Sequence, residues 1–279
     1  MEQNKVKILV ACHKPDTVYQ DDVYTPIHVG RAISKNKEEM AEMLGDDTGD
    51  NISVKNPYYC ELTAQYWGWK NIHTEYIGLC HYRRYFEEKI TSENIDAKLG
   101  SNSDILCVTP IHEKYRNSLR LVRASCLEDY QIFMYSLKKV SPSYYLTAKE
   151  FLSKGVVTPY NMFVMKKSLF DRFAEWQFSI LFEMEKHLRL SPYTRAKRVF
   201  GYYAEMMLPI FIKKNGLKVV YSNCVSMIGE KTKKHPFAPI YNFYIDMICK
   251  NGKCYKEQDV DAVITGFKLD GIDVGYLEK

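Results

Sequence analysis

The chain has 279 residues, 46% apolar and 14% aromatic, enough to bury the core of one large domain and too apolar for intrinsic disorder. Thirty-nine Lys and Arg against thirty-four Asp and Glu leave a net charge of +5, which suits an anionic ligand or membrane face and is too weak to argue for nucleic acid. No stretch approaches the roughly 18 to 20 apolar residues of a spanning helix, and the opening "MEQNKVKILVACHKP" lacks the run of a signal peptide; the expectation is a soluble, cytoplasmic protein.

The first predicted element is "VKILVAC" (Val6 to Cys12), an unbroken apolar run of the kind buried on both faces of a sheet, closed by the turn "HKPD". "YTPIHVGRAIS" supplies a second strand, "KNKEEMAEM" is helix-prone, and "LGDDTGDNISVKN" is loop chemistry. "NPYYCELTAQYWGWKN" reads as one helix, with apolar rows at steps of three and four on two sides. "EYIGLCHYRRYF" is a buried strand that runs into cations, and "SDILCVTP" is the next strand. From Lys114 to Lys154 the pattern is helical with a break at Ser141-Pro142. "TPYNMFVMKKSLF" is a short strand entering a long helix, "RVFGYYAEMMLPIFIKKN" a helix interrupted near Pro209, and "LKVVYSNCV" a strand. The Asn-Gly of "CKNGKCY" signals a hairpin, so residues 242–279 are expected to form a small β appendage on a main domain of residues 1–241. Strands alternating with helices make this an α/β protein with a mostly parallel sheet.

Eight cysteines are scattered without the paired spacing of zinc sites, and several lie inside apolar runs, as reduced buried thiols do. The histidines show no metal-ligand spacing, and no Gly-rich phosphate loop, nucleophile elbow or kinase signature is present.

Strand tips of open α/β sheets hold ligands. His81, Arg83 and Arg84 at the tip of "YIGLCHYRRYF" suit a diphosphate, because guanidinium forks match phosphate oxygens and stay charged; the alternative is that they pair with surface carboxylates. Strand alternation would put His81 and Arg83 on one face and Arg84 on the other. His13, after the first strand, and Asn161, after "TPY", sit at strand ends where they line the same cleft. Asp46, Asp47, Asp50 and Asn51 offer groups for sugar or ribose hydroxyls; Asn51 and Ser53 are alternatively caps for the following helix. Glu205 interrupts an apolar helix face beside Tyr202, and a buried carboxylate there is either a general base or a partner of Arg195 or Arg198. "EKYRNSLRLVRAS" and "LRLSPYTRAKR" are basic segments that either lie on anionic lipid or are solvated helix faces.

Taken together, "ILVACHKP", "PIHVG", "GDDTGDNISVKNPYYCELTAQYWGWKN", "YIGLCHYRRYF", "NMFVM" and "FGYYAE" resemble the bacterial exopolysaccharide and capsular-polysaccharide biosynthesis family, formerly of unknown function, over roughly residues 5 to 230. The resemblance implies a GT-A-like nucleotide-sugar-binding fold. It also implies a glycosyltransferase that moves a hexosyl group, galactosyl or galactofuranosyl, from a UDP-sugar to a glycan acceptor on a polyprenyl lipid, with peripheral membrane contact. In that frame His13, Asp46, Asp47, Asp50, Asn51, His81, Arg83 and Arg84 bind donor, Asn161 and Tyr202 bind acceptor, and Glu205 is the base. No metal cofactor is expected: many GT-A enzymes place an Asp-x-Asp where this chain carries His81-Tyr82-Arg83-Arg84, and arginine offsets phosphate charge without a metal. A metal held by the "GDDTGDN" loop is the competing arrangement. The other functional class in view is a non-catalytic nucleotide-sugar or glycan-binding subunit of a polysaccharide assembly complex.

Overall fold

The structure, a computed structural model, describes residues 5–100, 103–232, 236–251, 261, 263–265, 267, 268 and 271. In chain order the elements are β1 (Val6–Cys12), β2 (Tyr24–His28), β3 (Leu44–Gly45), α1 (Asn56–Tyr59), α2 (Leu62–Asn71), β4 (Tyr76–His81), β5 (Tyr85–Phe86), α3 (Ile95–Lys98) and β6 (Ile105–Val108). There follow β7 (Ile111–His112), α4 (Asn117–Ala124), α5 (Leu127–Val140), α6 (Tyr145–Leu152), β8 (Val156–Val157), β9 (Phe163–Lys166) and α7 (Lys167–Glu185). The last are α8 (Thr194–Lys197), α9 (Val199–Asn215), β10 (Val219–Ser222), β11 (Cys224–Val225) and α10 (Ala238–Asn251). They fall into two compact units, one of residues 1–110, 158–174 and 215–234, the other of residues 111–157, 175–214 and 235–279.

The first unit is built on a seven-stranded sheet in the order β10-β6-β9-β4-β1-β2-β3. All strands run parallel except β9, which is antiparallel to both β4 and β6. The apolar runs explain the placement: β1 pairs on both edges, Ile8 opposite Tyr24 and Ala11 opposite His81, and six of its seven residues are buried. Helix α2 lies against β1 and β4 at close range, because Gly68 leaves room that a Cβ would fill at 2.8 Å from Leu9 Cδ1. Cys12 and Cys80 join Val6, Ile8, Val10, Tyr24 and Val164 in the core, and burial pushes the Cys12 thiol up to about 12. The described cysteines are free thiols. In the second unit α4, α5 and α6 pack on one another, and Trp176 stacks on Tyr144 at 4.6 Å and donates Nε1–H to Ser141 Oγ at 3.1 Å. Among the described residues no helix is long and apolar enough to cross a membrane.

Five expectations are corrected. "KNKEEMAEM" forms a chain of tight turns, with bonds such as Met43 N–H to the Met40 carbonyl, because Met40 is drawn into the core before a helix is nucleated. The long helix expected through "NPYYCELTAQYWGWKN" is broken at Cys60, whose φ is 53°. Helix α9 runs uninterrupted through Pro209; the lost amide bond is offset by dense burial of Met206, Leu208, Ile210 and Phe211 around it. "LKVVYSNCV" is two strands, parted at Asn223, which reaches Glu87 Oε2 at 2.7 Å. The expected β appendage is helical from Ala238 to Asn251, and the glycine of the expected hairpin turn lies outside the described residues. The rest of that tail lies largely outside the described residues.

Candidate active site

From β1 the chain winds outward through β2 and β3, then returns to place β4 on the other side of β1. The carboxyl ends of β1 and β4 therefore flank the topological switch point, where open α/β sheets form their ligand crevice. His13 follows β1 there, and its ring meets Tyr82 edge-on at 5.4 Å. A cavity of about 450 Å³ bounded by Asp104, Lys166, Arg172 and Leu217 lies at the opposite end of the sheet, where β6 and β10 begin.

Strand β4 stops at His81. Reciprocal bonds, His81 N–H to the Arg84 carbonyl (3.2 Å) and Arg84 N–H to the His81 carbonyl (3.0 Å), close a reversal with Tyr82 and Arg83 at its tip. The alternation expected for His81, Arg83 and Arg84 is thus replaced by a turn, and the two arginines part company. Arg83 donates Nε–H and Nη2–H to Asp16 Oδ2 at 2.9 and 2.6 Å, and its side chain is 60% exposed. That guanidinium holds the Asp16 carboxyl below the usual carboxylate range. Arg84 makes no ion pair among the described residues; its guanidinium lies 4.1 Å above the Tyr160 ring centroid.

Tyr160 ties this tip to a second element. His81 Nε2 donates to the Tyr160 carbonyl at 2.6 Å, which leaves Nδ1 as the variable nitrogen of the ring. Tyr160 and Asn161 both have positive φ, 75° and 50°, immediately before β9. Asn161 Nδ2–H bonds Glu61 Oε1 at 2.7 Å, and Glu61, 9% exposed, follows the left-handed Cys60 at the start of α2. Consecutive left-handed non-glycine residues cost energy and persist where the surroundings over-determine them, which is the habit of functional sites. His81, Arg84, Tyr160, Asn161 and Glu61 form one connected constellation. Sequence reasoning missed Glu61 and Tyr160; a carboxylate inside the apolar run "YYCELTAQYW" was the available signal for Glu61.

The "GDDTGDN" loop closes on itself. Asp46, fully buried, accepts Gly30 N–H at 2.7 Å, Arg31 N–H at 3.1 Å and the Ser53 hydroxyl. Gly30 adopts φ 68°, which brings both amides onto one carboxylate. Asp47 pairs with Arg31 at 3.6 Å, Asp50 accepts the Tyr66 hydroxyl at 3.1 Å, and Asn51 Oδ1 accepts Ser53 N–H at 3.2 Å. Trp67 Nε1–H reaches the Thr48 carbonyl at 3.0 Å, fastening the loop to α2. The Asn51 bond to Ser53 precedes a short 3-10 turn whose N-cap is Ile52, with no side-chain cap bond, and α1 after it has none either. The three aspartates are engaged by different groups, Asp46 and Asp47 by the amide and the guanidinium of Arg31 and Asp50 by Tyr66, and among the described residues no three His, Cys, Asp or Glu gather as metal ligands. Fully buried His28, at the end of β2, has no hydrogen-bond partner on either ring nitrogen among the described residues; burial holds its pKa down, against the opposing pull of Asp46.

In the second unit Glu205 sits on α9 with its carboxylate 3.6 Å from Arg120, which also pairs with Glu113. Arg120 of α4 is thus a cationic neighbour of Glu205, and Arg195, one of the two expected partners, donates to the Arg123 carbonyl at 2.9 Å. Tyr202 donates its hydroxyl to the Arg195 carbonyl at 3.2 Å, with Arg198 5.8 Å from its ring centroid. Arg123 lies 4.6 Å over Tyr115. Much of the cation content of the two basic segments is thus engaged in local contacts.

A seven-stranded, mostly parallel sheet flanked by helices, with polar side chains gathered at its switch point, is the GT-A-like fold of glycosyltransferases. Residues 7–216 match a family described as a domain of unknown function, DUF4422, and the chain belongs to it. Among solved structures it is similar to the apo form of WbbM, a bifunctional glycosyltransferase, at 33% identity and a TM-score of 0.72. The match covers 84% of this chain and 48% of WbbM, so the chain spans about half the length of that protein. No curated protein sequence matches it.

Proposed function

We propose that the chain is a glycosyltransferase that moves a hexosyl group, galactosyl or galactofuranosyl, from a UDP-sugar to a hydroxyl of a growing surface polysaccharide carried on a polyprenyl lipid. The observation that carries this reading is Arg84, a guanidinium without an ion pair among the described residues, held beside His81 at the switch point of a GT-A-like sheet. An anionic diphosphate supplies what that cation lacks. In the reaction the acceptor oxygen attacks the anomeric carbon, the bond from that carbon to the phosphate oxygen breaks, and UDP departs with the bonding electrons. Arg84, with the His81 ring beside it, offsets the charge that develops on the leaving oxygen. A single displacement inverts the anomeric centre.

Glu205 takes the acceptor proton in this scheme, with Arg120 orienting its carboxylate. A second assignment gives the proton to Glu61, favoured by its hydrogen bond from the left-handed Asn161 and its connection to the strand tip. A non-catalytic binding subunit would share the donor site and release no nucleotide. Incubation with a panel of sugar nucleotides, read by mass spectrometry for transfer or slow donor hydrolysis, is the test: turnover of at least one UDP-hexose is expected, and binding without any release of UDP would assign the chain to the non-catalytic class.

A further inference from the structure

Among the described residues three that are not glycine have positive φ: Cys60 at 53°, Tyr160 at 75° and Asn161 at 50°. All three stand on one chain of contacts that ends at the β4 tip. Asn enters this region readily and Tyr does not, so Tyr160 stays there only because its neighbours fix it. The sheet explains its place. Parallel strands bring their carboxyl ends to the switch point, whereas β9, antiparallel to β4 with Phe163 opposite Leu79, brings its beginning. Tyr160 and Asn161, which lead into β9, are thereby set beside His81.

Each link has a definite atom. Asn56 Nδ2–H bonds the Cys60 carbonyl at 2.8 Å, and Cys60, with ψ −131°, takes a conformation that glycine usually fills, which starts α2 at Glu61. The Glu61 carboxylate accepts Asn161 Nδ2–H at 2.7 Å, and Asn161 is 3% exposed. Tyr160 then offers its carbonyl to His81 Nε2 at 2.6 Å and its ring face to the Arg84 guanidinium at 4.1 Å. A carbonyl only accepts, so that bond keeps a proton on Nε2 of His81. We infer that Asn161 is a positioning residue of the tip: anchored by Glu61, it keeps Tyr160 left-handed, and Tyr160 in turn fixes the tautomer of His81 and the seat of Arg84. The buried Asn161 side chain acts through Tyr160 and does not meet an acceptor sugar, the role expected of it from the sequence. A ring and a guanidinium already in place need not be ordered when the ligand arrives, which is how preorganisation adds affinity. The effect on UDP rests on the tip being the donor site proposed above; the tautomer belongs to the unliganded chain.

NMR of the full chain carrying isotopically labelled histidine, with the His81 resonances assigned by their loss in His81→Gln, tests it. At a pH that keeps the ring neutral, His81 should show one tautomer, protonated at Nε2. Asn161→Ala should mix the tautomers and weaken UDP binding at least about fivefold in calorimetry, the equivalent of one ordinary hydrogen bond. Asn161→Gly suits the left-handed backbone but cannot reach Glu61, so it should mix them as well. Glu61→Gln keeps an oxygen for Asn161 to bond and should keep both the single tautomer and the UDP affinity, whereas Glu61→Ala should lose both; this pair decides the matter if Asn161→Ala fails to fold. A ring protonated at Nδ1 in the wild type, a tautomer unmoved by both Asn161 substitutions, or equal effects of Gln and Ala at Glu61 overturns the inference. A wild type with the Nε2 tautomer and the expected response to substitution, but no affinity for UDP, would overturn the proposed function and leave the positioning role of Asn161 standing.

Discussion

The loop Gly45–Ser53 and the strand tip His81–Arg84 are both dense in charge, and the structure treats them in opposite ways. In the loop Asp46 takes two backbone amides and a hydroxyl, Asp47 takes Arg31, and Asp50 takes Tyr66. At the tip, Arg83 is claimed by Asp16, but Arg84 has no ion pair among the described residues and lies over an aromatic face. A run of carboxylates is therefore not in itself a sign of a ligand site. In the proposed function the loop is scaffolding that fixes the start of α2, and the tip is where the ligand's charge falls.

The sharpest way to break that contrast is to remove the carboxylate that organises the loop. Asp46→Ala strands three donors, two buried and one part-buried, each buried one worth about 1–3 kcal/mol when unsatisfied, so a loss of at least about 2 kcal/mol is expected in urea unfolding. Ser53→Ala should cost less, since Asp46 keeps both amides. If Asp46→Ala instead left the urea midpoint in place and only weakened donor binding, the loop would belong to the site.

The same contrast explains what was legible in the sequence. β1, β4 and β6 were readable because buried parallel strands are continuous apolar runs, β9 because it is a short apolar run buried between two such strands, and the break at Ser141-Pro142 because proline restricts its predecessor. His81 and Arg84 were readable as a strand tip, but not their division of labour, since a two-residue reversal and the reach of Asp16 are tertiary facts. Glu61 and Tyr160 gain their significance from left-handed backbone and from a bond between residues one hundred positions apart, neither of which leaves a periodic trace. The Asp46 network was invisible for the same reason: its donors lie on Gly30 and Arg31.

Catalytic assignment comes next in size. Glu205→Gln is expected to keep donor binding and lower turnover by at least roughly a hundredfold, the loss typical of an absent general base. Glu61→Gln made in parallel separates the two carboxylates: whichever substitution removes turnover while leaving the urea midpoint in place identifies the base. A fall in both stability and turnover at Glu205 would mark the ion pair with Arg120 as structural.

The two arginines should then divide as their surroundings do. Arg84→Ala is expected to weaken UDP binding by about ten- to a hundredfold, the range of a lost hydrogen bond to a charged group, with little change in folding. Arg84→Lys should recover only part, because a point charge cannot reproduce the bidentate fork. Arg83→Ala should matter far less, since its guanidinium is exposed and already committed to Asp16. Equal losses at both positions, measured by calorimetry, would show that ligand pulls Arg83 away from Asp16.

A smaller effect concerns acid. Burial depresses the His28 pKa below its ordinary 6.5, so between the two values the unfolded chain binds more protons than the folded one. Stability should decline as pH falls through 6.5 and go on declining until the folded-state value is reached. Asp129, pushed up to about 6 by burial, works in the other direction over the same range. Only the difference between the wild type and His28→Leu isolates the histidine, and a Leu variant with an unchanged acid limb in urea titrations would remove His28 from the account.

The smallest expected effect is none at all, and it bears on the tip most directly. If Arg84 and His81 carry the charge of the departing diphosphate, transfer should persist in excess chelator, because the cations do at the strand end what a divalent ion does elsewhere. The loop offers the natural rival, since a metal bridging Asp46, Asp47 or Asp50 would restore the familiar arrangement. For that to happen Asp46 would have to give up two backbone amides and the Ser53 hydroxyl, and Asp50 the Tyr66 hydroxyl. Each is a hydrogen bond made in a partly or wholly buried place, where an abandoned donor is expensive. Metal binding at the loop should then loosen α2, which Trp67 and Tyr66 fasten to it. Chelator titration with added manganese or magnesium, followed by hydrogen exchange on α2, separates the two arrangements. Unchanged transfer and unchanged protection keep the charge at Arg84; abolition by chelator, rescue by metal and altered protection of α2 would move the charge-bearing site into the loop.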